Sequence, residues 1–371
     1  MRFKIIYIVL LLTISCKKES KSFQNNSDSN ISLRWSKYYE LDNVNKAKNG
    51  LFWCYSYLGA TTLNNTLVTI NGNILKIDVN KIGFNSEAIK YLMILHKKLK
   101  LTEEYQEHES IDIGRYISLL IGAPEHYYKF TEIPQELNTL LSKYSLHETQ
   151  GYINHSSISL THRRIKFSNK AGLNQLLLSE EIDTSTGKVI EFETMEIMSN
   201  GQIKFALFDK NGNRKNNADP MITNAGKPAK CIWCHESQIQ PLFKTQDDFT
   251  GFMTYDELND SLNYFQNQLF QKQIKFDNGI NFNNKTEHQD MELVYISFME
   301  PSAQRLSLEW EIPLHEVLDK LKNIKTHKHE EFDWLGDLYN REEIEVFAPY
   351  KSLSVSSSIR EKSLIEVNYL D

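Results

Sequence analysis

The 371-residue chain has no apolar run long enough to cross a bilayer as a permanent helix, which takes about 20 consecutive apolar residues. It has no basic excess either: 42 Lys and Arg stand against 48 Asp and Glu, a formal charge of −6. Nucleic-acid binding leaves a basic footprint, so no nucleic-acid partner is expected. Internal repeats are missing. Cysteine is scarce, with 4 in the whole chain. Hydrophobic residues make up 40% and aromatics 11%, enough for a real core. The length fits one large or two medium domains.

The first residues differ from the rest. Arg2 and Lys4 precede an apolar run from Ile5 to Ile14, and Ser15 and Cys16 follow. A charged start, a short apolar stretch and a small residue at its end form a secretory signal rather than a structural element. Leu12-Thr13-Ile14-Ser15-Cys16 resembles the lipobox of bacterial lipoproteins. That resemblance implies a signal peptide over 1–15, cleavage before Cys16 and acylation of Cys16, with two or three chains giving stable anchoring. Residues 16–35 then carry the lipidated cysteine and a flexible tether, because Ser/Asn-rich sequence from Lys17 to Ser32 has almost nothing to bury. Position 17 is Lys rather than Asp, and Lys17-Lys18-Glu19 is similar to the export signals of surface lipoproteins. An outer-membrane anchor, on the periplasmic or cell-surface side, is the expectation.

Four cysteines in an exported chain would ordinarily suggest two disulfides, but their positions do not. Cys16 is committed to lipid, and Cys231 and Cys234 sit together. Cys54, within Leu51-Phe52-Trp53-Cys54-Tyr55, reads as a small buried hydrophobe.

The expected fold class is α+β: an N-terminal mixed α/β domain over 36–225 of unnamed role, then a mainly α-helical domain over 226–371. Asn71-Gly72 between two apolar runs signals a hairpin. Asn85 or Ser86 can cap a helix that carries Ile89, Leu92, Leu95 and Leu99 on one face. A strand-rich block runs from Tyr152 to Asp209, with Asn200-Gly201 joining Val189–Ile197 to Ile203–Phe208 and Asn211-Gly212 closing it. Arg163-Arg164 reads as a solvated strand face. Beyond the Gly226-Lys227-Pro228 loop the pattern becomes helical. Helices are expected from Asp247 or Thr250 to Leu269, from Pro301 through Trp310, from Pro313 to Leu321, and from Phe332 to Phe347.

One run carries chemistry: Cys231-Ile232-Trp233-Cys234-His235. By composition it would arise by chance roughly one time in a thousand. Two thiols on neighbouring turns of a short helix can add to the vinyl groups of a haem, while the next histidine ligates the iron. Export fits, because haem attachment takes place outside the inner membrane. The motif resembles that of the c-type cytochromes, over Gly226 to Asp371 at most. The resemblance implies one covalent haem c per chain, with Cys231 and Cys234 as thioether links and His235 as the proximal metal ligand. Pro241-Leu242-Phe243 is similar to the segment that wraps the haem edge in that family. For the second axial position Met299 is the first candidate, with Met291, Met253, His288 or an open site as alternatives. Rival readings are a thiol-redox pair, a zinc site with His327 and His329 as partial ligands, and an incidental pairing.

The function expected is haem binding and single-electron transfer in the cell envelope, with redox proteins there as partners and no catalytic residues. An open sixth position would instead mean a peroxidase-like haem enzyme or a sensor. A surface-binding lipoprotein with accessory haem or zinc is the third reading.

Overall fold

The computed structural model describes residues 28–159, 161–169, 175–239, 243–275, 280–358 and 366–371. The signal sequence, Cys16 and most of the tether, and also Pro241 and Leu242, lie outside the described residues; the tether expected over 16–35 is too long, because Asn30–Arg34 is a strand paired on both sides, with Ile31 and Leu33 buried in the core. Helices and sheets are both present, as the α+β reading requires.

A small sheet is built from β1 (Asn30–Arg34), β2 (Val68–Asn71), β3 (Ile74–Asp78) and β4 (Ile111–Asp112), in the order β2-β3-β1-β4. The β2–β3 hairpin pairs Asn71 with Ile74, so its two loop residues are Gly72 and Asn73, with Gly72 at φ +61°. The turn sits one residue later than Asn71-Gly72 suggests. The helices between β1 and the second sheet are α1 (Val44–Tyr57), α2 (Ser86–Lys100), α3 (Glu103–His108), α4 (Ile113–Ile121), α5 (Pro124–Phe130) and α6 (Leu137–Leu141). Asn85 caps α2 by accepting from the Ala88 amide, and Leu92, Leu95 and Leu99 are buried.

The second sheet is an antiparallel meander of β5 (Gly151–Ile153), β6 (His162–Phe167), β7 (Gln175–Ile182), β8 (Val189–Ile197), β9 (Ile203–Asp209) and β10 (Arg214–Lys215), each strand beside the next. Beyond the short β10, amides of β9 are met from α5: those of Phe205 and Leu207 donate to the hydroxyls of Tyr127 and Tyr128 at 3.0 and 3.4 Å. An exposed strand edge invites pairing with other chains, and this one is covered.

The C-terminal helices are α7 (Pro228–His235), α8 (Tyr255–Lys275), α9 (Lys285–Met299), α10 (Ala303–Glu309), α11 (Leu314–Leu321) and α12 (Arg341–Ile344). They do not form a core of their own. Buried residues of α7, α8 and α9 join those of α1, α4 and the second sheet in one hydrophobic cluster. Helix α9 lies so close to α1 that a Cβ on Gly50 would come within 2.9 Å of the Asp290 and Met291 backbone. The core therefore runs across the 225/226 boundary. A separate small cluster, from Ala303 to Tyr350, is the part that packs by itself.

That cluster is tied to the body by buried charge. Glu309 accepts from Arg305 and Arg341, Arg305 also reaches Asp112 at 2.6 Å, and Arg115 pairs with Glu104 at 2.9 Å. All six side chains are essentially inaccessible. Paired and hydrogen-bonded, they avoid the penalty of isolated buried ions.

Candidate haem-attachment site

Helix α7 starts at Pro228, a residue suited to the first helical position because it has no amide hydrogen to leave unbonded. It stops after His235, where Glu236 takes the left-handed conformation with φ +43° and its amide closes onto the Ile232 carbonyl. Cys231, Cys234 and His235 thus share one eight-residue helix, as the motif's spacing predicts. Ile232 and Trp233 face inward and are buried. The motif's second and third positions anchor the helix while its chemical residues face a cavity.

That cavity encloses about 130 Å³ before it opens to solvent, and Cys231, Cys234 and His235 all line it. Cofactor sites are mostly apolar, and so is this lining. The floor is the second sheet. One cross-strand row consists of Leu177, Met195 and Phe205, paired directly in register. The next contains Ile165, Ser179, Glu193 and Leu207. Ile239, Phe243 and Leu262 close the side, so Phe243 of the expected wrapping segment does face this space.

The imidazole of His235 stacks on Phe205, with ring centroids 5.3 Å apart and an interplanar angle of 28°. Its Nδ1 is 3.2 Å from the Gln238 carbonyl. A carbonyl only accepts, so Nδ1 carries the proton and Nε2 keeps its lone pair. Burial, assisted by the nearby Arg163 cation, holds the ring's pKa down to about 4. A neutral imidazole with Nδ1–H fixed by a carbonyl is the form that ligates metals. Burial likewise pushes the Cys231 thiol well up, so this cysteine is no ready thiolate of the disulfide-exchange kind.

Arg163 lines the cavity too, instead of forming a solvated face. Its Nε pairs with the fully buried Glu181 and its Nη2 lies 3.5 Å from Glu193. Nη2 also meets the Thr223 hydroxyl at 3.4 Å. Glu181 is pushed up to about 7, chiefly by burial. Arg164 pairs with Glu180 at 2.8 Å. The solvated-face reading fails for Arg163, whose face of β6 is covered at the cavity; Arg164 points to the other face, as strand alternation requires, and is 30% exposed.

None of the four expected second ligands lies on the cavity wall. Met299 is buried at the end of α9, and Met291 is buried where α9 meets Gly50 of α1. Met253 lines a different pocket, its sulfur 3.9 Å from the Ser261 hydroxyl. His288 has both nitrogens engaged, Nε2 with Tyr57 at 3.0 Å and Nδ1 with Glu292 at 3.2 Å. The methionine that does line the cavity is Met195. Its direct cross-strand neighbour, Phe205, is the ring on which His235 rests. The clue available in the sequence was strand alternation, which puts Met195 and Glu193 on one face of β8.

The partial zinc ligands are also placed elsewhere. His327 Nε2 meets Glu300 at 2.8 Å, and His329 Nδ1 accepts the Glu331 and Phe332 amides at 3.2 Å. Among the described residues no group of three or more His, Cys, Asp or Glu side chains converges on a metal position, and no helix is long and apolar enough to cross a membrane. Cys54 is fully buried in α1, as the sequence indicates. No family model, curated protein or solved structure matches the chain.

Proposed function

We propose that the chain is a c-type haem protein of the cell envelope, anchored by lipid at Cys16 and passing single electrons between redox proteins there. One observation carries this reading. Two thiols and a neutral imidazole with an open Nε2 face the same apolar cavity from one short helix. The donor set suits haem c, which would supply an iron that cycles between ferrous and ferric states.

Cys231 and Cys234 would hold the macrocycle through thioethers, and His235 would be its proximal ligand. Leu177, Phe205, Leu207 and Leu262, which line the cavity, would exclude water from around the macrocycle. The Arg163 guanidinium, which lines the cavity, would suit the macrocycle's carboxylates. Met195 takes over from Met299 as the candidate for the second axial position, because it alone among the described methionines lines the cavity. A cytochrome-like site here is a helix laid over a sheet, not a free-standing helical domain over 226–371.

The enzyme or sensor reading draws on Glu193, whose Oε1 is buried without a hydrogen-bond partner beside Arg163. With Met195 unligated, that acid would stand near an open position. For the main reading, Cys231→Ala with Cys234→Ala should abolish haem that survives denaturation on a gel stained for peroxidase activity. A stain that persists in the double variant would defeat covalent attachment, and zinc in a colourless wild type would favour the metal-site alternative.

A further inference from the structure

The turn after the motif is bent in a way its side chains resist. Glu236 and Ser237 both have positive φ, 43° and 62°, a conformation that crowds Cβ against the backbone in any residue but glycine. Such strain persists only where surrounding contacts over-determine it. Three elements supply those contacts to Ser237, which is buried. Its hydroxyl meets Gln202 Oε1 at 2.6 Å and Tyr57 Oη at 2.8 Å. Its carbonyl accepts from Gln273 Nε2 of α8 at 2.9 Å.

The directions of these bonds can be worked out. Gln202 Oε1 only accepts, so Ser237 donates to it and must accept from Tyr57. Tyr57 has then used its one proton, so its oxygen accepts from His288 Nε2–H. On the far side, Gln202 Nε2 donates to Ser56 Oγ at 2.7 Å, whose own proton goes to the Trp53 carbonyl at 2.7 Å. A one-way buried chain runs from α9 through α1 to the turn. The next residue in that turn, Gln238, presents the carbonyl that fixes His235 Nδ1.

We propose that Tyr57, backed by His288, is a positioning residue: it locks Ser237 in its strained backbone, keeps the Gln238 carbonyl on His235 Nδ1–H, and so sets the donor strength of the metal ligand. The inference rests on the haem reading of His235. A hydrogen bond from the outer ring nitrogen makes an imidazole a stronger ligand, and losing such a bond typically changes affinity or activity 10–100-fold. A weaker donor stabilises ferric iron less, so the reduction potential rises.

The test uses the full chain matured in a host with haem-attachment machinery. Tyr57→Phe should keep its covalent haem, since both thiols are untouched, and raise the potential by about 59 mV or more, a tenfold change for a one-electron couple. Tyr55→Phe is the control, because it deletes a buried hydroxyl from the same helix whose partner is Tyr116, away from the turn; its potential should match wild type. If Tyr57→Phe does not fold, Ser237→Gly replaces it, since glycine adopts φ 62° without strain while losing the hydroxyl. The same upward shift is expected. A haem-loaded Tyr57→Phe or Ser237→Gly at the wild-type potential, or equal shifts in Tyr55→Phe and Tyr57→Phe, would overturn the positioning role alone. A wild type without covalent haem would overturn both this role and the reading beneath it.

Discussion

Removing one carboxylate should loosen the small C-terminal cluster while leaving the proposed haem site intact. Glu309 is inaccessible to solvent and accepts from Arg305 Nη1 at 2.8 Å and from Arg341 Nη1 and Nη2 at 2.9 and 2.8 Å. In Glu309→Ala, Arg305 retains Asp112, but Arg341 retains only the Phe298 carbonyl at 2.7 Å and a long contact of 3.5 Å to Glu345. Breaking a buried pair this way costs about 3–5 kcal/mol, and the stranded Arg341 places the loss near the upper end. Folded proteins hold about 5–15 kcal/mol in all. With a urea dependence of roughly 3 kcal/mol per molar, the midpoint should fall by about 1 M or more. Glu309→Gln, which keeps an acceptor, should lie between. None of these residues lines the cavity, so the visible spectrum of the folded variant should equal that of the wild type. A loss below about 1 kcal/mol would refute the view that this cluster is held by buried charge, and a changed spectrum would show that the haem depends on it.

Further outcomes follow from other sites. If Met195 is the second ligand, Met195→Ala should remove the weak far-red charge-transfer band of methionine-bound ferric haem and lower the potential, because a ligand favouring ferrous iron is lost. Met299→Ala should cost about 2–5 kcal/mol in packing and leave the band; loss of the band in Met299→Ala alone would reinstate Met299. His126 donates from Nδ1 to the Leu119 carbonyl and accepts the Tyr369 amide on Nε2, and burial holds its pKa down to about 4. An unfolded histidine titrates near 6.5, so as pH falls the unfolded chain takes up the proton first. Stability should be complete above about pH 6.5 and decline towards pH 4, by up to about 3 kcal/mol for this residue. His126→Gln should flatten that decline in urea titrations, and an unchanged slope would contradict the assignment. Cys16→Ala should release the chain from the membrane fraction or block its processing; a normally processed, membrane-bound variant would contradict the anchor.

The hairpins were legible because Asn-Gly pairs report local backbone geometry, and α2 because its apolar face repeats at helical spacing. Helices α1 and α4 were not, because most of α1 and all of α4 are buried, so that even the polar side of α4, with Arg115 and Ser118, is inside. Helix α9 contains the run Leu293-Val294-Tyr295-Ile296, which reads as a strand as readily as a helix. The stretch from Phe332 to Phe347 gives only short turns and the four-residue α12, with Gly336 at φ +84° interrupting any helix. The motif helix was fully readable. Its partner wall was not, because long-range strand packing, rather than distance downstream, puts Met195 beside Phe205 on the cavity wall, and nothing local marks Arg163 as buried.

The central claim is tested most directly by the intact mass and optical spectrum of the wild-type chain, matured where haem c can be attached. The account predicts a mass above that of the processed, acylated polypeptide by one haem, with a c-type absorption spectrum that persists after denaturation. A polypeptide of unmodified mass at Cys231 and Cys234, colourless after maturation beside a control cytochrome that acquires its haem, would contradict it.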